Sequence, residues 1–418
     1  MRKSEKIFGF IFLAIILFFG KNVLATDLLF FRLLVRMGLG YALTRGAGGF
    51  AGSINRAYNS GSTKLLRALM FLFFITAVLT AAFIQKDPSS FGLWVNPINL
   101  GLILGGILFG FGMSFSACCA SGVLTDLTEG FPRAFITLIF FGVGIFLGFP
   151  LQSGLTIVTD SLFTSASYEN GVFLPDLFKW DGLNGYLGAI VLTGFIALLV
   201  AAFSVLYEQK RKREKTYHAL PNEIKEDRVD PMDTENFELL SAKTYERLFV
   251  KPWTLKIAMI VIAVLFALLM GVTGSGWGAS TPYGMWFGKF LMLFGISAES
   301  LANFTTKPVE FFTVSLLDHG ITMQNFGILL GAAFFLLTSG KFKDTFLGGF
   351  KISAKLGLLY AFGGFTMGLG TRLANGCNVG ALYTPIANFS LSGWIFLVVM
   401  IIGGILGNTF AKKVNTNA

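Results

Sequence analysis

The chain has 418 residues, of which 54% are hydrophobic and only 13% charged, with 47 Phe and 50 Gly. Apolar runs near the roughly 20 residues that cross a bilayer recur along it, which excludes an ordinary soluble domain. The net charge of +10 is therefore read through loop topology. No aromatic-interleaved basic patch, phosphate-cradling loop with a lysine, or metal-spaced His/Cys set points to nucleic acid, nucleotide or a metal cofactor.

In chain order, apolar segments fall near residues 7–20, 28–43, 64–84, 97–117, 131–149, 183–206, 254–272, 279–296, 307–318, 322–338, 356–371 and 391–411. Several are short or glycine-broken, so this set is an upper bound on true spans. The first 25 residues have a basic start and an apolar core like a signal peptide; a retained first membrane helix is the simpler reading for a multi-span chain. Arg2, Lys3 and Lys6 precede the first segment, and Arg45, Arg56, Lys64 and Arg67 lie between the second and third. The stretch from Tyr207 to Lys256 carries 11 Lys/Arg against 10 Asp/Glu and reads as a solvated tether, flexible or partly helical. Lys341, Lys343, Lys351 and Lys355 form another basic connection, and Lys412 and Lys413 close the chain. The loop from Pro150 to Asp181 instead holds Asp160, Glu169, Asp176 and Asp181 with Lys179 alone. The positive-inside rule then places both termini and the tether in the cytoplasm and the 150–181 loop outside. Three parts are expected: a membrane half over 1–206, a charged linker over 207–253 and a second membrane half over 254–418.

A cysteine motif occurs twice at one offset. GGILFGFGMSFSACCASGVL (Gly105 to Leu124) and GGFTMGLGTRLANGCNVGAL (Gly363 to Leu382) lie 258 positions apart. Gly105/Gly363, Gly106/Gly364, Gly110/Gly368, Gly112/Gly370, Cys119/Cys377, Gly122/Gly380, Leu124/Leu382 and Phe131/Phe389 coincide. The chain's three cysteines, Cys118, Cys119 and Cys377, all lie in these copies. By the loop charges, the segment after Cys119 runs outward and the one after Cys377 runs inward. The two copies are therefore expected to be inverted repeats, an arrangement typical of transporters with sites near the midplane. The upstream glycines fit close helix packing in lipid. The Asn375–Gly376–Cys377–Asn378–Val379–Gly380 stretch differs, because polar, glycine-rich backbone cannot continue a lipid-facing helix. It is expected as a helix break, re-entrant and lining a cavity. A helix restarting there offers free N–H groups to an anion, and the copy from Ala117 to Gly122 offers the same from the other side.

A buried thiol is commonly only a small hydrophobe, yet three of three in matched breaks favours a role. Thiols suit soft ligands such as sulfur anions or soft metals, and a reducing cytoplasm disfavours a Cys118–Cys119 disulfide. Arg372, five residues before Cys377, is placed either to neutralise an anion or to snorkel to the interface. Lys307 and Glu310 are spaced to pair on one helical turn, and His319 reads as an interfacial residue at a segment end.

The stretch LGTRLANGCNVGALYTPIANFSLSGWIF (Leu369 to Phe396) resembles the signature of the YeeE/YedE sulfur-transport family, whose characterised members move thiosulfate inward. GFGMSFSACCASGVLTDL ending at Leu127 resembles its first-half copy, and RGAGGFAGSINRAYNSGSTKLLRAL (Arg45 to Leu69) a third family motif. The resemblance implies an inverted-repeat helical protein pinched at the middle, whose cysteines line a narrow path and relay the anion by weak thiol hydrogen bonds. Cys119 and Cys377 match its two relay cysteines. The early motif, where thiosulfate-transporting members tend to carry a further cysteine, has none here, and Cys118 is an extra neighbour in the position Gly376 takes in the second copy.

The expectation is an all-α polytopic membrane protein of two pseudo-symmetric inverted repeats with broken helices, in the bacterial cytoplasmic (inner) membrane. It would be a permease, not an enzyme, importing a small sulfur oxyanion, thiosulfate first. Cys119, Cys377 and Cys118 would contact it, with Asn375, Gly376, Asn378, Gly380, Gly122 and Arg372 around them. No cofactor, metal or nucleic acid is expected; a cytoplasmic sulfur-carrier protein is a conceivable partner. The rival readings are a soft-metal or selenium-compound permease and a membrane-embedded sulfur-transfer enzyme.

Overall fold

The computed structural model describes residues 3–116, 118–220, 223–224, 241–348, 350 and 352–416. Residue 117 and linker residues 225–240 lie outside them, as therefore do the start of the first cysteine break and the expected tether's centre. No strand forms among the described residues; three isolated bridges tie loops together.

The principal helices are α1 (Lys3–Val23), α2 (Asp27–Arg45), α3 (Gly52–Ser60), α4 (Lys64–Ile84), α5 (Leu100–Ser116), α6 (Gly122–Glu129) and α7 (Phe131–Gly154). After the 155–185 loop come α8 (Tyr186–Arg213), α9 (Leu255–Thr273), α10 (Thr281–Met292), α11 (Gly320–Ser339), α12 (Ala354–Leu373) and α13 (Leu391–Thr416). Seven of them, α1, α4, α7, α8, α9, α11 and α13, are long and apolar enough to cross a membrane, and α5 is a shorter apolar helix of 17 residues. This is a multi-pass helical membrane protein. Two apolar runs form no long helix. The 279–296 run contains only the 12-residue α10, and the 307–318 run forms a single turn, Glu310–Thr313. Lys307 does not pair with Glu310 there; its ammonium stands 5.0 Å from the Phe149 ring centroid. His319 caps α11, its Nδ1 accepting from the Thr322 N–H at 3.2 Å. α8 continues past residue 206 to Arg213, so the charged linker starts as helix.

Glycine sets the centre of the bundle. α5 and α12 cross antiparallel at two places. A Cβ on Gly105 would stand 2.6 Å from the Gly370 carbonyl oxygen, and one on Gly370 would stand 2.6 Å from that of Gly105. At the other end, Gly112 and Gly363 meet each other's carbonyls at 2.5 and 2.7 Å. Such approach is open only to glycine, and it lets dispersion and weak Cα–H···O contacts replace the hydrophobic drive that lipid removes. The outer contacts follow suit. α13 packs on α5, with Gly110 against the Met400 carbonyl and Gly403 against that of Ile107. α7 packs on α12, with Gly368 and Gly364 against the carbonyls of Phe141 and Thr137. Under the 258-residue offset, the Gly105–Gly370 contact maps onto the Gly363–Gly112 contact.

A second correspondence involves the N-terminal region. α2 and α9 share the same length at an offset of 228, each capped by a threonine hydroxyl (Thr26 and Thr254) and closed by a glycine (Gly46 and Gly274). α2 lies along α11, α9 lies along α4, and the two helices touch each other.

Candidate functional site

α12 ends at Leu373, and the chain then breaks. Asn375 has φ +56°, in the left-handed region, and Cys377 is extended at φ −93° and ψ −168°. Gly376 is required, because a Cβ there would meet the Gly380 carbonyl carbon and the Ala381 nitrogen. A wide turn, Asn378–Tyr383, restarts the helix. Gly376 to Tyr383 are buried, which a membrane protein tolerates only where polar groups find partners inside. In the first copy, α5 ends at Ser116 and α6 begins at Gly122, with Cys118 and Cys119 in the irregular turn between them.

All three cysteines are free and buried. The Cys377 sulfur faces the backbone N–H groups of Val379 and Gly380 and lies in hydrogen-bond reach of the Ser280 hydroxyl. Cys119 Sγ is 3.5 Å from Ser121 Oγ. Between the breaks stands Tyr283 of α10, within electrostatic range of all three thiols and donating its hydroxyl to the Ala120 carbonyl at 2.5 Å. Cys377 and Cys119 are likewise within electrostatic range of each other.

Arg372 does not snorkel. It is 4% exposed, and its guanidinium donates to Ser280 Oγ at 2.9 Å, Gln152 Oε1 at 3.4 Å and Thr281 Oγ1 at 3.5 Å. Its Nε has no partner, and the plane lies 5.4 Å from the Phe149 ring centroid. None of these contacts is a carboxylate. A buried cation held by neutral groups keeps its field for an anionic ligand, at a desolvation cost of several kcal/mol that a structural ion pair would avoid. Ser280 links this charge to the Cys377 thiol.

The remaining expected residues take distinct positions. Asn378 donates to Met113 Sδ of α5 at 3.4 Å and leaves its carbonyl oxygen unpartnered. Asn375 accepts from Gln152 Nε2 at 2.6 Å, and both line an open cavity of about 470 Å³ with Trp94, Asn96 and Thr159. Gly380 lies under Trp94, whose ring a Cβ would approach to 3.0 Å, and its carbonyl accepts from Asn96 at 3.1 Å. Gly122 has looser surroundings: a Cβ there would stand at ordinary contact distance, 3.5 Å, from Cys119 Sγ. The structure thus gathers Cys118, Cys119, Cys377 and Arg372 around Ser280 and Tyr283, and sets Asn375 at the floor of a vestibule.

Sequence reasoning missed Ser280, Tyr283, Gln152 and Trp277. The signal for two of them was present: GSGWGAST (Gly274 to Thr281) matches GAGGFAGS (Gly46 to Ser53) at Gly46/Gly274, Gly48/Gly276 and Ala51/Ala279. The two stretches meet in space, with Phe50, Trp277 and Tyr383 forming one aromatic cluster.

The fold and the buried, polar helix breaks define a multi-pass membrane protein with an interior site. The chain belongs to the Sulphur transport family, which it matches over residues 45–406. It is 28% identical to the thiosulfate transporter TsuA of Spirochaeta thermophila over 73% of this chain and 76% of that protein. Identity to TsuA of Escherichia coli is 25%, covering 87% of this chain and 89% of the relative. A probable transporter, YedE of Escherichia coli, is 30% identical over 38% of each chain. The chain thus spans well under half of YedE and most of the TsuA proteins.

Proposed function

We propose that this chain imports a small sulfur oxyanion, thiosulfate first, across the bacterial cytoplasmic membrane along a path lined by Cys377 and then Cys119. The observation that carries the reading is the Arg372–Ser280–Cys377 cluster, a buried uncompensated cation joined through one hydroxyl to a thiol. Thiosulfate has the matching chemistry, with a dianionic oxygen end for a guanidinium and backbone N–H groups and a soft terminal sulfur for a weak S–H donor. The names of the TsuA relatives support the substrate.

The two membrane halves, 1–206 and 254–418, are proposed to be inverted repeats joined by the 207–253 linker. The reciprocal glycine contacts of α5 and α12 support a pseudo-two-fold axis between them. Loop charge orients the path. The start of α5 adjoins the end of α12 and the acidic 150–181 loop, because a Cβ on Gly101 would meet the Leu373 and Ile157 carbonyls. The positive-inside rule puts that end outside and both termini in the cytoplasm. The vestibule then opens outward, with Gln152 and Asn375 at its floor, Arg372 and Cys377 behind them, and Cys119 further in. Tyr283 and the packed breaks separate the two thiols and exclude a continuous water column. A cytoplasmic reaction or carrier protein that consumes the anion would keep net flow inward.

The test is labelled thiosulfate uptake in cells lacking other sulfur-oxyanion importers. Cys377→Ala is expected to abolish uptake at unchanged membrane abundance, since the side chain it replaces is small and uncharged. Wild-type uptake by Cys377→Ala would remove the thiol path, and no uptake by well-expressed wild type would remove the substrate.

A further inference from the structure

Arg36 stands at the middle of α2, fully buried at 0% exposure, and Nε, Nη1 and Nη2 all lack hydrogen-bond partners. Its guanidinium carbon lies 4.7 Å from the Trp277 ring centroid, and the ionisable groups that reach it electrostatically are the Tyr383 phenol and the Arg32 guanidinium. Neither is an anion at neutral pH. Tyr383 is tied to Thr76 at 2.9 Å and belongs to the break that carries Cys377. The charge has been placed here by tight packing: a Cβ on Gly327 of α11 would stand 2.7 Å from Arg36 Cβ and 2.5 Å from the Leu33 carbonyl.

Two further buried groups in this region are unsatisfied. The Trp277 indole N–H has no acceptor. Asn325 of α11 donates to the Ala279 carbonyl at 2.8 Å and keeps an unpartnered carbonyl oxygen. Four residues of one irregular segment, Trp277 to Ser280, therefore touch a buried, carboxylate-free guanidinium at each end: Arg36 at Trp277 and Arg372 at Ser280. A guanidinium with every donor unused, stacked on an indole whose own N–H is unused, is a donor set for a small anion. A structural arginine in the same place would spend those donors on carbonyls, as Arg45 does on Arg247, Leu248 and Lys251.

We infer that Arg36 and the Trp277 N–H form a second, thiol-independent station for the transported oxyanion, on the far side of the Trp277–Ser280 segment from Arg372. The inference rests on the anion-transport reading above. The station uses charge and N–H donors only, so it accepts sulfate-like oxygens without needing the soft sulfur that the cysteines recognise. An oxyanion there and one at Arg372 would repel each other across the segment, which favours forward displacement over tight retention.

The test is isothermal titration of the full-length protein in lipid nanodiscs, in chloride-free buffer, with sodium thiosulfate. Wild type is expected to show two binding events, and Cys377→Ala to keep the one that depends on Arg36. Arg36→Met should lose that event while keeping the other, and Arg36→Lys should retain it with affinity weakened roughly tenfold, since Lys offers a point charge without the planar fork. Arg36→Met should also raise the thermal midpoint of the unliganded protein, because a neutral side chain of similar length replaces a charge buried without a counter-ion. Unchanged thiosulfate binding by Arg36→Met, or a lowered midpoint or failure to fold, would make Arg36 structural and overturn the station. A site that binds bromide but not thiosulfate would overturn it as well. Loss of binding in Arg36→Met with Cys377→Ala behaving as wild type would keep the station and sink the thiol path instead.

Discussion

The two cysteine breaks each interrupt a helix and differ in their chemistry. Around Cys377 the thiol faces two backbone N–H groups and Ser280, with the guanidinium of Arg372 one hydroxyl away. Around Cys119 the partner is a single serine hydroxyl at 3.5 Å, and position 372 of the second copy corresponds to Ser114, which carries no charge. Asp126 and Arg133, which reach Cys118 electrostatically, pair with each other at 2.6 Å, so that arginine's charge is already compensated. Under the proposed import reading, the difference would divide the labour, with the copy carrying Arg372 capturing an anion by charge and the other passing it on with little retention.

The comparison can be broken most severely at Arg372. Replacing it with Gln removes the buried charge and keeps hydrogen-bonding capacity, and hydrogen bonds to charged groups contribute about 1.5–3 kcal/mol. Thiosulfate affinity should then fall by roughly tenfold to a hundredfold, read as a rise in the half-saturating concentration of uptake. An unchanged value would deny the outer break its charge-based capture. The smallest effect is expected at Cys118. Its neighbour Cys119 occupies the repeat position, and Ser116 Oγ donates to the Cys118 carbonyl at 3.3 Å. Cys118→Ser should therefore change uptake by less than about twofold; a loss as large as that of Cys377→Ala would mean that the inner break uses both thiols.

Much of the helix frame was legible in the sequence, since long apolar runs are the strongest membrane signal. The 64–84 run matches α4, and the 97–117 run brackets α5. The Asn375–Gly380 break was legible too, because polar residues flanked by glycine cannot continue a helix in lipid. Hydropathy failed where a break is itself apolar. Leu293, Phe294 and Ile296 continue the apolar run beyond the end of α10, so α10 reads as part of a span although it is only a short helix. The offset of 228 that relates α2 to α9 is out of step with the 258 of the cysteine copies, the chain between them being longer in the second half. Arg36 and the Gln152–Arg372 contact were not legible at all. A charged residue in an apolar run looks like an interruption until its neighbours are known, and Gln152 reaches Arg372 across 220 positions.

The most direct test of the central claim is the rate at which a small, membrane-permeant maleimide alkylates Cys377 in a Cys118→Ser, Cys119→Ser background, with and without thiosulfate. Thiosulfate should slow the alkylation, with a half-maximal concentration equal to that for binding in the same variant. An alkylation rate indifferent to saturating thiosulfate, in protein shown to bind it, would contradict contact between the anion and the Cys377 thiol.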